Sequence, residues 1–298
     1  MNLRDLKYLV ALADTRHFGK AAARCFVSQP TLSAQIKKLE DYLGVLLVER
    51  QPRNVALTAA GELVVERARR VVRDTDDIVD LVQLSRDPLA GKLRVGLIPT
   101  IAPYLLPRVA TRLRKALPKL QLLLFEYQTG PMLHKLRAGD IDMAILALPI
   151  EDDGFDSQSL YAEAFLVAVP TGHRFTEQTS VQLADLNGET LLLLEDGHCL
   201  RDQALEVCSR LEVNEETDFR ATSLETLRQM VGAGLGITLM PQLATEGPFA
   251  AGKQLVIRPF AAPPPGRTVG ALWRRSSTRQ PAIAAVNAVI AKALEQAP

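Results

Sequence analysis

Two thiols nine residues apart carry the chemistry that stands out in this chain, in the run Leu194-Glu-Asp-Gly-His198-Cys199-Leu-Arg201-Asp202-Gln-Ala-Leu-Glu-Val-Cys208. An apolar stretch ends at Leu194, Gly197 permits a tight turn, and the residues after it have helical spacing. That order puts Cys199 in the first turn of a helix, beside His198 and one turn from Arg201. The helix dipole and two basic side chains there favour thiolate, the nucleophilic form of cysteine. Cys208 is placed differently, because Leu200, Ala204, Val207, Cys208 and Leu211 make one apolar stripe that faces the core. Nine helical residues span ~13.5 Å of rise, whereas a disulfide needs Cα atoms within roughly 7 Å. Two readings therefore stand on the residues alone: unconnected cysteines, or a pair that closes only if the helix between them melts. In the second, oxidation of Cys199 to a sulfenic acid and attack by Cys208 would turn a small chemical event into refolding of a segment. Cys25, on the apolar side of a helix with Phe18, Ala21 and Ala22, reads as a core thiol.

The scaffold that must hold these thiols is legible from about Pro88-Leu-Ala-Gly91 onward. Short apolar segments there alternate with helical ones. The candidate strands are 92–98, 120–127, 143–148, 165–169, 190–194, 217–221, 237–239, 255–257 and 268–273. Helical stretches include Leu105 to Ala116 and Ser223 to Gly232, with a last helix from about Pro281. The pattern predicts an α/β body with largely parallel sheets. Ligands of such sheets bind beyond the carboxyl ends of strands, which directs attention to Pro99-Thr100 and Gln128-Thr129. Gly232, Gly234 and Gly236 follow a helix and precede a strand, the wrong order for a dinucleotide fingerprint. His17, His134, His173 and His198 have no metal-ligand spacing, so neither a metal nor a cofactor is expected.

Ahead of the body lies a different kind of sequence. Residues 1–60 hold nine bases against five acids, a net of +4, which leaves −3 for the remainder. Leu3, Leu6, Val10 and Ala13 keep helical spacing, a break falls at Thr15 to His17, and a second short helix carries Phe18 to Cys25. Ser28 then caps a third helix with Pro30 in its first turn and Leu32, Ile36 and Leu39 on its buried side. This third helix turns Ser28, Gln29, Pro30, Thr31, Ser33, Gln35, Lys37 and Lys38 outward. Short amides and hydroxyls at its start can reach base edges in a major groove while the lysines meet phosphate. Arg50, Gln51-Pro52 and Arg53 form a short basic loop suited to touching the DNA backbone. From Thr58 to about Asp87, Val64, Ala68, Val71, Thr75, Ile78 and Val82 alternate spacings of four and three, which fits a helix pairing with a second copy of itself.

Composition sets the outer bounds. At 298 residues, 47% hydrophobic and 23% charged, the chain is an ordinary globular sequence of two or three domains. Three cysteines cannot make a disulfide framework and fit a reducing compartment. The charged start and the lack of any long apolar run argue against export and membrane spanning, so a cytoplasmic location is expected.

Residues 1–65 resemble the winged helix-turn-helix of LysR-type transcriptional regulators. The resemblance rests on Leu3 to Leu6, Tyr8 to Val10, Phe18, Ala21-Ala22, Ser28-Gln29-Pro30-Thr31-Leu32-Ser33, Ile36-Lys37-Lys38-Leu39-Glu40, Leu43-Gly44, Arg50 and Leu57-Thr58-Ala59-Ala60-Gly61. It implies a winged helix-turn-helix over 1–58 and a dimerising linker helix over 59–87. It also implies a two-lobed α/β effector body, like a periplasmic binding protein, over 88–298. Lobe I would be about 88–162 plus 268–298 and lobe II about 163–267. Promoter DNA, a dimer of dimers and RNA polymerase are the implied partners. The stretch around Cys199 is similar to the signature of the hydrogen-peroxide-sensing members of that family, which implies Cys199 as peroxidatic thiol and Cys208 as resolving thiol. Thr100, Thr129, His198 and Arg267 occupy the positions that surround the peroxide in those relatives. The threonine hydroxyls would hold the two oxygens, and His198 and Arg267 would donate toward developing negative charge. Arg201 and Asp202 support the site, with Asp202 orienting Arg201. Two other functions remain open at this level: a metabolite-induced regulator that binds a small carboxylate between the lobes, and a thiol peroxidase using Cys199. An exported solute-binding protein is disfavoured by the DNA-reading head.

Overall fold

A computed structural model describes residues 1–51, 54–84, 87–209, 211–246 and 254–295, which divide into two units, 1–86 and 87–298. The first unit opens with a reciprocal cap, the Asn2 side chain accepting from the Asp5 amide while the Asp5 carboxylate accepts from the Asn2 amide. Helix α1 (Leu3–Thr15) follows, then α2 (Phe18–Arg24) and α3 (Gln29–Leu43). Ser28 caps α3 by accepting from the Thr31 amide at 3.3 Å, and Gly44 at φ +67° ends it. Leu9, Leu12, Ala21, Leu32, Ile36 and Leu39 meet in one core, and Cys25 packs at its margin, only partly buried.

The Glu40 carboxylate is buried beneath the turn that follows α3. Its Oε1 accepts from the amides of Leu47 and Val48 at 2.8 and 3.1 Å, pinning the start of β1 (Val48–Gln51) to the helix. Strand β1 pairs antiparallel with β2 (Asn54–Leu57), which gives the wing. Helix α4 (Ala59–Leu84) then begins under the cap of Thr58, whose hydroxyl accepts from the Gly61 amide. Of the stripe expected to pair with a second copy, Ala68 is buried within this unit, Val64 and Thr75 are half-buried, and Val71 and Ile78 are exposed. The first turns thus serve the core of the head, and the stripe reaches solvent farther along. The Val82 side chain and residues 85–86 lie outside the described set.

In the second unit, β3 (Gly91–Leu97), α5 (Ala102–Ala116), β4 (Leu120–Glu126), α6 (Thr129–Ala138) and β5 (Met143–Leu148) build parallel βαβ turns. Next come β6 (Phe155–Pro170), β7 (Thr190–Leu194), α7 (Cys199–Val207), β8 (Asn214–Ala221), α8 (Leu224–Gly232) and β9 (Thr238–Pro241). Strands β10 (Leu255–Pro259) and β11 (Gly266–Arg274) and helix α9 (Gln280–Glu295) complete the chain. Among the described residues the main sheet runs β10-β6-β11-β5-β3-β4, with β9 also on β6, and β7 pairs parallel with β8 alongside.

The expectation of largely parallel sheets is corrected here. Strand β11 is antiparallel to both β5 and β6, and β6 is antiparallel to β9 and β10. The cause is β6, a single 16-residue strand where the sequence suggested only 165–169. Its first part, Phe155 to Ala164, pairs with β11; its second part, from Phe165, pairs with β9 and β10. One strand therefore serves two sheet regions. Its polar stretch Asp156-Ser157-Gln158-Ser159 lacks the apolar run that signals a buried strand, which hid it from a pattern search. Helix α6 was also missed, because Gly130-Pro131 in its first turn reads as loop. Among the described helices, none is long and apolar enough to cross a membrane.

Candidate functional site

The end of β5, the middle of β6, the start of β11 and helix α7 line an open cavity of about 940 Å³. Thr129, Cys199, Asp202 and Arg267 line it together. Cys199 is the first residue of α7, and the turn before it is made by Gly197 at φ +93°. A side chain at 197 would both strain that backbone and stand 3.0 Å from Gln128 Oε1.

Arg267 is the most constrained group in the site. Its Nε donates to Glu163 Oε1 at 2.8 Å, and its Nη2 lies 2.7 Å from the same oxygen. Its Nη1 donates to Thr100 Oγ1 at 2.9 Å and its Nη2 to the Thr100 carbonyl at 3.1 Å. The Arg267 and Glu163 side chains are 1% and 4% exposed, so this is a buried, multiply bonded ion pair. Thr100 is itself buried and is held by Arg267, but it is not among the residues that line the cavity.

Thr129, the first residue of α6, faces the thiol from the other side. Its Oγ1 is buried without a partner of good hydrogen-bond geometry, yet it stands close enough to Cys199 to favour the ionised sulfur. Gln203 Oε1, on the same wall, is likewise buried and unpartnered.

The state of the thiol departs from expectation. Burial pushes Cys199 above the ordinary cysteine value, and the Arg267 charge and the Thr129 hydroxyl offset this only in part, while Asp202 adds to it. The reason lies in its neighbours. Arg201, expected one turn away to add positive potential at the sulfur, is instead buried against Asp196 at 2.9 Å and Glu215 at 2.7 Å. Asp202 does not orient Arg201; it lies on the cavity wall. His198 is buried near Glu195, and burial pulls its pKa down, so the imidazole stays neutral and supplies no positive charge to the helix start. The cation that acts on Cys199 is Arg267, from a strand 68 positions away in the sequence.

Cys208 caps the far end of α7, where its amide donates to the Ala204 carbonyl at 3.1 Å; its side chain is buried, and burial raises its pKa too. Both thiols are free. The cavity wall includes Gln203, Glu206 and Val207 from α7 but not Cys208. Sequence reasoning missed Glu163, which no motif announces: the polar residue at 163 becomes significant only where β6 meets β11. Among the described residues no group of His, Cys, Asp or Glu could hold a metal ion.

In the first unit, α3 buries Leu32, Ile36 and Leu39 and leaves Ser28, Gln29, Pro30, Thr31, Lys37 and Lys38 exposed, with Ser33 and Gln35 half-exposed. The structure adds Phe26, 96% exposed at φ +56° in the turn before α3. Arg50 lies in β1, its side chain outside the described set, and Arg53 lies outside the described residues altogether.

The pattern of the bacterial regulatory helix-turn-helix protein, lysR family, matches residues 3–62, and that of the LysR substrate binding domain matches residues 86–295. The chain is 49% identical over 277 residues to the DNA-binding transcriptional dual regulator OxyR of Escherichia coli K12, covering 93% of this chain and 90% of that protein. Full-length OxyR of Pseudomonas aeruginosa, carrying a cysteine-to-aspartate substitution, superposes with a TM-score of 0.74 at 40% identity over 98% of both chains. A hydrogen-peroxide-bound OxyR mutant of Corynebacterium glutamicum superposes with a TM-score of 0.69 at 35% identity, over 99% of this chain and 93% of that one. With both units matched and close to half its residues shared with a relative along nearly its whole length, this chain belongs to the LysR family of transcriptional regulators, on the OxyR branch.

Proposed function

We propose that the chain is a hydrogen-peroxide-sensing, DNA-binding regulator of oxidative-stress genes, with Cys199 as the sensing thiol and Cys208 as its resolving partner. The observation that carries this reading is one cavity lining shared by a nucleophile, Cys199, a buried cation, Arg267, and a buried hydroxyl beside the sulfur, Thr129. A peroxide has two oxygens to hold, and Thr100 and Thr129 supply a hydroxyl for each. The Cys199 sulfur attacks one oxygen and the O–O bond breaks; the displaced oxygen takes up the thiol proton and departs as water, leaving a sulfenic acid. Arg267 donates to the oxygen on which negative charge develops, and neutral His198 offers an N–H. The Cys208 sulfur then attacks the sulfenic sulfur, an S–S bond forms, and the hydroxyl leaves with the Cys208 proton as a second water. Two thiols have lost two electrons and one peroxide has become two waters.

Helix α7 converts this into movement. Intact, it holds the two cysteines ~13.5 Å apart along its axis, against the roughly 7 Å a disulfide tolerates. Closing the bond requires α7 to unwind. The reading assigns 1–58 to DNA, with α3 in the major groove and the wing, including Arg50 and Arg53, on the backbone. It assigns 59–87 to dimerisation, for which the exposed Val71 and Ile78 on α4 give a contact stripe, and 88–298 to sensing, the lobes being about 88–162 with 268–298, and about 163–267. A dimer of dimers in the cytoplasm that signals to RNA polymerase completes it, and Cys199 acts once per signal rather than as an enzyme. The size of the cavity gives some support to a second reading, a small carboxylate inducer, but Asp202 and Glu206 on its wall repel an anion.

The test is promoter DNA footprinting of the full chain before and after peroxide. The reading expects an altered footprint with oxidant, affinity that falls steeply with salt, and a Cys199→Ser variant that binds DNA but ignores oxidant. A footprint that still responds in Cys199→Ser, or that changes with a metabolite and not with peroxide, overturns it.

A further inference from the structure

Resting on that reading of the peroxide pocket, we infer that Glu163, on β6, is a positioning residue that aims Arg267 and, through it, fixes the direction in which the Thr100 hydroxyl donates. A guanidinium has five N–H groups in a rigid plane. One, from Nε, goes to Glu163 Oε1; one from Nη1 goes to Thr100 Oγ1 and one from Nη2 to the Thr100 carbonyl, while Nη2 also lies 2.7 Å from Glu163 Oε1 as an ion pair. Of the two N–H groups that remain, the one on Nη2 lies on the Glu163 side and the one on Nη1 is left, among the described residues, for a ligand in the cavity that Arg267 lines.

The consequence for Thr100 is directional. Its Oγ1 already accepts from Arg267, so its single proton is left to donate elsewhere, and in this reading it goes to a peroxide oxygen. Turn the guanidinium, and Thr100 is free to reverse its role. Glu163 prevents that turn because it is fixed from a third element: its Oε2 accepts from the Leu243 amide at 3.2 Å. Neither Glu163 nor Arg267 has appreciable exposure, so water competes weakly for either partner. Glu163 also balances the charge of Arg267, and so moderates the pull of that cation on the Cys199 sulfur.

Position and charge separate experimentally. In the full chain, the rate of Cys199 oxidation by hydrogen peroxide and the pH profile of its alkylation by iodoacetamide, a neutral probe, are measured side by side. Glu163→Gln removes the charge and loosens the aim: peroxide oxidation falls about 10- to 100-fold, while the alkylation midpoint moves to lower pH as Arg267 acts unopposed. Glu163→Asp keeps the charge, shortens the reach and disturbs the fold less: the peroxide rate falls and the midpoint stays. A peroxide rate within about twofold of the parent in either folded variant, or peroxide and iodoacetamide reactivities that rise or fall together, overturns the inference. Cys199→Ser tells the two failures apart. If its footprint still responds to peroxide, the pocket reading itself is wrong; if that response is gone and the Glu163 variants behave as the parent, only the role of Glu163 is wrong.

Discussion

Arg267→Met, alone and combined with Glu163→Leu, separates what the buried ion pair does for stability from what it does for chemistry. With the guanidinium gone, Glu163 keeps one bond, from the Leu243 amide, and remains a carboxylate 4% exposed. Breaking one side of such a pair costs about 3–5 kcal/mol. In a unit of the size of residues 87–298, that corresponds to a drop in Tm of ~6–20 °C. Glu163→Leu alone orphans Arg267 and costs a similar amount. The double variant removes both charges at nearly constant volume and leaves the Leu243 amide and the Thr100 groups short of partners. It should therefore cost no more than about 2 kcal/mol relative to the parent, a coupling of ~4–10 kcal/mol. The assay is urea unfolding followed by the fluorescence of Trp273, the single tryptophan, which lies on β11 with Arg267. Peroxide oxidation of Cys199 is slow in all three variants, because the cation is missing or misdirected. Single costs that simply add in the double variant, or an Arg267→Met variant less than about 1 kcal/mol below the parent, would refute the reasoning.

Two further outcomes follow from the same pocket. Thr129→Val removes a buried hydroxyl that has no good partner, so stability holds or rises by about 1 kcal/mol while peroxide oxidation slows at least about tenfold; an unchanged rate in a stopped-flow trace would remove Thr129 from the site. Because burial raises the Cys199 pKa, its oxidation rate should keep climbing with pH past the ordinary thiol value of about 8.5, and a plateau by neutral pH would contradict this. The linked stability has a definite sign: the unfolded thiol ionises first, so the contribution is complete below the ordinary value and is lost as pH rises through the folded pKa.

Much of the head was legible locally. Ser28 as cap, Pro30 in the first turn and the spacing of Leu32, Ile36 and Leu39 determine α3 through contacts a few residues apart. The same holds for the turn at Gly197 and the start of α7 at Cys199. What the sequence misjudged was electrostatic. His198 and Arg201 are chain neighbours of Cys199 and seemed its natural cations, but one is kept neutral by burial and the other is engaged by Asp196 and Glu215. Proximity along a chain does not give proximity of charge.

The sequence by itself determined which residues could react, where α3 and α7 begin, and that a basic reading head precedes an α/β body, because caps, turns and hydrophobic spacing act over one or two turns of chain. Tertiary structure alone decided which charges meet the thiol. Arg267, Glu163, Thr100 and Leu243 come from four separate parts of the chain and are joined only where β6 and β11 pair. A buried ion pair between distant strands leaves no periodic signature, since each partner is stable there only when the other is already in place.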